Sequence, residues 1–250
     1  MKRRRKFELL VGDLQKVLAD PSVDDRYGVL YGLAIDVLSF IDELCADPEK
    51  TAMLLDVARA AREARGPGRD CGEEQLMRAL DYVVHICCDA FDAAGFASFL
   101  PFPSCDGCPE ELDVPCRIMR DICAYALECF TFKKARDQFA GTRRASAFQI
   151  LGSAGWVFDI PEAIPLALGA LKRNRRWEAR GAISFLEEYF KAREGAPVPD
   201  EVEKGLLAVV EGTEDRSNAT GALNVLVEAG RISEFEALAR LDDWKEEHYW

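Results

Sequence analysis

Residues 176–190 read RWEARGAISFLEEYF and residues 216–230 read RSNATGALNVLVEAG. Gly181-Ala182-Ile183 aligns with Gly221-Ala222-Leu223, and Phe185-Leu186 with Val225-Leu226, at an offset of 40 residues. Each copy follows another apolar stretch, 163–171 and 202–210. Two amphipathic helices per period of about 40 residues is the signature of stacked helical hairpins. Gly181 and Gly221 fall mid-helix, where glycine costs about 1 kcal/mol relative to alanine. Close approach between helices explains that choice; an ordinary helical bundle with two similar hairpins is the alternative.

Outward from this repeat the chain reads as helix throughout. No run of alternating β-branched and polar residues reaches strand length, and Ala, Leu, Glu and Arg dominate. Helices are expected at 6–19, 24–45, 49–64, 73–94, 114–138, 143–154, 161–172, 175–192, 200–211, 217–229 and 233–241, about eleven in all. Asp47-Pro48-Glu49 and Ile160-Pro161-Glu162 open helices with proline in the first turn, and Gly66-Pro67-Gly68 stops one. Residues 96–115 (FASFLPFPSCDGCPEELDVP) hold four prolines and a glycine, so they cannot form one continuous helix. They divide a less regular half, 1–95, from short regular hairpins over 113–250 within a single elongated all-helical domain spanning 1–250.

Over residues 143–230 the pattern resembles the HEAT-like (armadillo/HEAT-type) helical repeat family. Residues 163–171, the polar turn 172–176 and residues 179–186 look like one such unit; 202–210 with 213–226 look like the next. Residues 144–151 resemble the second helix of a preceding unit, and 25–38 (DRYGVLYGLAIDVL) share the texture more weakly. The turn aspartate and the Val-Arg pair typical of the second helix are replaced by Trp177-Glu178-Ala179-Arg180 and Ser217-Asn218-Ala219-Thr220. The resemblance implies an all-α, right-handed α-solenoid of stacked antiparallel hairpins. Such folds serve mostly as protein-binding scaffolds, with some nucleic-acid binders and a few enzymes.

Charge is unevenly placed. The chain carries a net −12 over 250 residues. Residues 133–180 nonetheless hold ten positive side chains against four acids, and residues 197–250 hold five against thirteen. An acidic total repels phosphate at long range and disfavours general nucleic-acid binding. The apolar runs are too short for a membrane span, which needs about 20 residues. The basic start MKRRRK is followed by FELLVGD, whose two acids break any export-signal core; a cytoplasmic protein is expected.

Eight of the nine cysteines lie between Cys71 and Cys129. Cys105-Asp106-Gly107-Cys108 is a C-x-x-C pair on the proline-rich segment, followed by Cys116. Such a turn brings two thiolates near one metal, but a tetrahedral site needs two further ligands. Cys116 and Cys123 are two helical turns apart, about 10 Å, so only one of them can join. A fourth ligand has to come from His85, Cys87 or Cys88. A redox pair at Cys105 and Cys108 lacks the βαβ setting of thioredoxin-like motifs. The competing reading is that Cys87, Cys88, Cys123 and Cys129 are small buried apolar residues. The odd count argues against a disulfide framework.

Catalytic signatures are absent from the sequence: there is no Ser-His-Asp set, HExxH, P-loop or GxGxxG, and His85 and His248 are the only histidines. The chain is therefore read as a non-catalytic interaction module without a cofactor. Its candidate partner-binding residues are Arg143, Arg144, Arg173, Arg175, Arg176, Trp177 and Arg180, a basic strip with an aromatic among arginines. This suits an acidic protein surface. The layout also resembles HEAT-like alkylpurine DNA glycosylases, for which Trp156, Asp159 and Trp177 are the counterparts of the family's aromatics and aspartate. The competing reading is a solvated turn with Trp177 packed on the next repeat. The C-terminal WKEEHYW (244–250) is expected to cap the last repeat. Metal analysis of the purified protein separates the scaffold from the alternative, a metal- or thiol-dependent protein centred on Cys105 and Cys108. No stoichiometric metal is expected, and about one equivalent of zinc, lost in C105S/C108S, reverses that reading.

Overall fold

A computed structural model describes residues 6–20, 22, 23, 25–64, 72–96, 110–133, 139–193 and 196–248. The described residues form helices and turns, with no strand among them. The fold class is all-α. The contacts divide the chain into two compact units, one containing the helices up to Thr131 and the other those from Ala140 onward.

The first unit contains α1 (Phe7–Ala19), α2 (Arg26–Asp36), α3 (Ile41–Ala46), α4 (Pro48–Ala64), α5 (Glu73–Ala93) and α6 (Asp113–Thr131). The helix expected over 24–45 is two helices separated by a 3-10 turn, Val37–Phe40. Ser39 donates its hydroxyl to the Asp36 carbonyl at 2.7 Å, a local bond of the kind that competes with continued α-helix. The turn places Val37 and Phe40 in the core, where the Phe40 ring meets Phe7 edge-on at 5.5 Å. Arg26 closes the end of α1, donating from Nε to the Val17 carbonyl and from Nη2 to the Leu18 carbonyl. α5 is the centre of this unit and packs on α2, α3, α4 and α6. α6 ends at Thr131, where Phe132 turns extended, short of the expected 138. Pro115 sits in its first turn, where proline is tolerated.

The second unit contains α7 (Ala140–Ala154), α8 (Ala163–Arg173), α9 (Arg176–Lys191), α10 (Asp200–Gly212), α11 (Arg216–Glu228) and α12 (Glu234–His248). α8 packs on α9 and α10 on α11; α9 also lies against both α7 and α11, and α8 against α10. The mid-helix glycines sit at these contacts. A Cβ on Gly181 would lie 2.5 Å from the Ala145 Cα of α7, and one on Gly221 would lie 3.1 Å from Ile183 Cγ2 of α9. The burial pattern recurs with the same spacing. Arg143, Ala147, Phe148, Ile150 and Leu151 are buried in α7; Glu178, Ala182, Ile183, Phe185 and Leu186 in α9; Asn218, Ala222, Leu223, Val225 and Leu226 in α11. One face of three helices is thus used three times, and its first position is polar each time.

Two arginines repeat as well. Arg193, just beyond α9, donates to the carbonyls of Gly155 and Phe158 and to Asp159, closing the α7–α8 connection. Arg231, just beyond α11, donates to the Val198 carbonyl and to Asp200 in the α9–α10 connection. At the chain's end Trp244 is buried and its Nε1 donates to the Thr213 carbonyl at 2.8 Å, tying α12 to the α10–α11 turn.

The glycine contacts rank the cost of a methyl group. Gly181→Ala meets backbone, which cannot move aside, and is expected to destabilise by about 1–3 kcal/mol despite better helix propensity. Gly221→Ala meets the end of a side chain and costs less. Gly32→Ala in α2 meets nothing within 4 Å and is expected to stabilise by about 0.5–1 kcal/mol. Urea midpoints of the three variants check the order; equal midpoints for Gly181→Ala and Gly32→Ala contradict it.

Candidate functional site

The basic strip is built on the α8–α9 turn. α8 ends at Asn174, whose φ of 44° is left-handed, a conformation asparagine tolerates better than most residues. The Asn174 N–H closes back on the carbonyls of Ala170 and Leu171. Arg175 is extended, and α9 begins at Arg176. Lysine and arginine at the end of α8 suit the negative end of its dipole.

Glu178, one turn into α9, is fully buried at 0% exposure. It receives Arg144 Nη1 from α7 at 3.0 Å and Arg173 from α8 through Nη2 at 2.5 Å and Nε at 3.3 Å. A buried carboxylate needs such partners because desolvation of an unpaired charge costs several kcal/mol. Glu178 therefore joins three helices, and Arg144 and Arg173 are committed to it. Arg143 is itself buried at 3% exposure. Arg176 binds Asp215 Oδ2 across the neighbouring turn at 2.5 Å, while its guanidinium lies 5.1 Å from the Trp177 ring centroid. Asp215 also accepts the N–H groups of Ser217 and Asn218, capping α11.

The seven residues singled out in the sequence thus separate. Arg143 is buried, and Arg144 and the exposed Arg173 are held by the buried Glu178. Arg175, Arg176, Trp177 and Arg180 are exposed together at the start of α9 beside Lys172, and Trp177 presents 48% of its surface. Next to them lies a polar hollow of about 590 Å³ between Asn174 and Arg176 on one side and Thr213, Asp215 and Arg216 on the other.

A second group occupies the opposite end of α9, where Tyr189, Glu188 and Arg193, missed in the sequence, meet Asp159 and Trp156. Tyr189 donates its hydroxyl to Asp159 at 2.9 Å, and Arg193 reaches the same Asp159 oxygen at 3.0 Å while lying 3.7 Å from the Tyr189 ring centroid. Burial, and then the bond to Asp159, push the Tyr189 hydroxyl above its ordinary pKa. Trp156 donates to Glu188 at 2.7 Å and lines a groove of about 790 Å³ with Phe190, Val198 and Val225. Trp156 and Asp159 therefore sit at the C-terminal end of α9, while Trp177 sits at its start. Eleven residues separate Trp177 from Glu188, about 17 Å at 1.5 Å per residue. The three counterparts of a glycosylase site do not converge on one pocket.

Cys105 and Cys108 lie outside the described residues. Cys116 is buried and disulfide-bonded. A disulfide-bonded Cys116 is not available as a thiolate ligand. Among the described residues no group of three or more His, Cys, Asp or Glu side chains is placed to hold a metal ion. His85 is exposed on α5, its Nε2 3.9 Å from Asp81. No protein-family model, curated protein or solved structure matches the chain.

One sequence signal did point to the Glu178 node. Glu178 precedes Gly181 by three residues, as Asn218 precedes Gly221, and residues three apart on a helix share a face. Glu178→Ala is expected to destabilise by about 1–3 kcal/mol, since it removes the buried acceptor that two partly solvated arginines share across three helices, and Glu178→Gln by roughly half that, because an amide oxygen still accepts one of them. Denaturant unfolding measures both; a loss below that of an exposed Glu201→Ala control overturns the assignment.

Proposed function

We propose that the protein is a non-catalytic scaffold that binds an acidic protein partner through the start of α9. The second unit is read as a right-handed, HEAT-like α-solenoid. The recurrence of one buried face on α7, α9 and α11, with glycine at the closest contacts, supports that architecture. The observation that carries the binding site is the behaviour of the arginines. Where a cation serves the fold it has a partner: Arg144 and Arg173 hold Glu178, Arg176 holds Asp215 and Arg193 holds Asp159. Lys172, Arg175 and Arg180 are exposed and make no ion pair among the described residues, in a chain of net −12. Packing and solubility leave these three charges unexplained, and they surround an exposed tryptophan.

Arginine beside an aromatic is the composition of protein-interface centres. An acidic protein is favoured over nucleic acid because the surrounding charge repels a polyanion at range, whereas an acidic protein patch needs complementarity only locally.

The test leaves Arg176 intact, because a carboxylate there would face Asp215. Lys172, Arg175 and Arg180 are each changed to Glu, and proteins captured by the tagged chain are compared with those captured by the unaltered one. The expected result is a loss of at least tenfold in an acidic captured protein, an unchanged melting temperature, and release of that protein by moderate salt. Capture that survives the triple reversal places the interface elsewhere.

A further inference from the structure

In the first unit α3 and α5 meet at two sulfurs. Cys45 near the end of α3 and Cys87 on α5 are both free, and a hydrogen bond joins their side chains. They differ in setting. Cys87 is 2% exposed, whereas Cys45 is partly open to solvent, with its sulfur 3.9 Å from the Val83 carbonyl one turn before Cys87. The two helices pack against each other, so the contact belongs to the fold and does not depend on a loop.

We propose that Cys45 and Cys87 form a reversible disulfide by exchange with a small-molecule disulfide, Cys45 being the attacking thiol and Cys87 the resolving one. The assignment follows from access: of the two, Cys45 is the one open to an incoming reagent, and its sulfur rests on α5 one turn before Cys87. The environment acts in the same direction. The bond from Cys87 holds the Cys45 thiol below its ordinary range, against burial and the nearby Asp42 carboxylate, which raise it. That same bond, with burial, pushes Cys87 upward, so Cys87 remains a thiol until the first exchange has occurred. Its neighbour Cys88 is pushed up to about 12 by burial and then by Asp89, Asp92 and Asp81, which makes it a poor competitor.

The chemistry balances without a further reactant. The Cys45 thiolate attacks one sulfur of the small disulfide, forming a mixed disulfide and expelling one thiolate. Cys87 then gives up its proton and attacks the Cys45 sulfur, which breaks the mixed disulfide and expels the second thiolate. Two protein thiols are oxidised, and one small disulfide is reduced to two small thiols.

The folded protein is equilibrated with excess oxidised glutathione, alkylated with iodoacetamide and mapped by peptide mass spectrometry without reduction. The expected product is a cross-link between the Cys45 and Cys87 peptides, with loss of both as alkylation sites and their recovery on reduction. Cys87→Ser is expected to stop at one glutathione on Cys45, and Cys45→Ser to leave Cys87 unmodified. Circular dichroism confirms that both variants are folded, and the map of the unaltered chain stands without them. The proposal is overturned if Cys45 remains fully alkylated, if it stays glutathionylated in the unaltered chain, if it pairs with Cys88, or if the cross-link forms only in urea.

Discussion

The second unit depends on one distance. At Gly181 the backbone of α9 comes so near α7 that a single methyl group would lie 2.5 Å from the Ala145 Cα. Apolar side chains then pack around a fixed separation. Phe148 and Phe185 meet at 5.8 Å between ring centroids, and Gly152 of α7 brings its backbone close to Phe185 and Glu188 in turn. Close-packed interiors do not deform continuously, so this contact also sets where Glu178 meets Arg144 and where the α8–α9 turn emerges. The exposed group at Lys172, Arg175, Trp177 and Arg180 is therefore presented by a rigid element.

Several features were legible in the residues because they are local. The hairpins of the second unit, their turns and the role of the paired glycines follow from periodicity and from the penalty glycine carries in a helix. The break at Val37–Phe40 was not legible, because nothing in 24–45 except Ser39 opposes continued helix, and serine within a helix is common. The end of α6 was hidden similarly: residues 132–138 carry no glycine or proline to stop it. Of the candidate site, the charge was visible and the pairing was not. Arg144 is 34 residues from Glu178, and Arg176 binds Asp215 on another hairpin. A list of positive residues does not distinguish guanidinium groups that hold the fold from those that face solvent. Burial removes Arg143, and the shared bond to Glu178 commits Arg144 and Arg173.

Buried polar residues at the starts of α7, α9 and α11 raise a point about economy of sequence. Arg143, Glu178 and Asn218 occupy the same place on the repeated face and differ completely in charge. An apolar residue there would pack as well, and buried ion pairs are frequently no more stabilising than their hydrophobic replacements. Their contribution is discrimination: each start accepts one arrangement of neighbours, with Glu178 requiring two arginines and Asn218 donating to the Arg176 carbonyl at 3.0 Å. Hairpins that are otherwise interchangeable are thereby given an order.

The arginines beyond α9 and α11 have a mechanical consequence. Apolar packing is non-directional, whereas a hydrogen bond fixes the direction as well as the distance between two elements. Arg193 supplies four directional bonds from one side chain, to the carbonyls of Gly155, Phe158 and Tyr189 and to Asp159. Arg231 repeats the arrangement one hairpin later. Each acts as a rivet at the rim of its joint, placed away from the glycine contact that serves as the pivot. The two connections are thereby fixed in direction by hydrogen bonds as well as in distance by the glycine contacts.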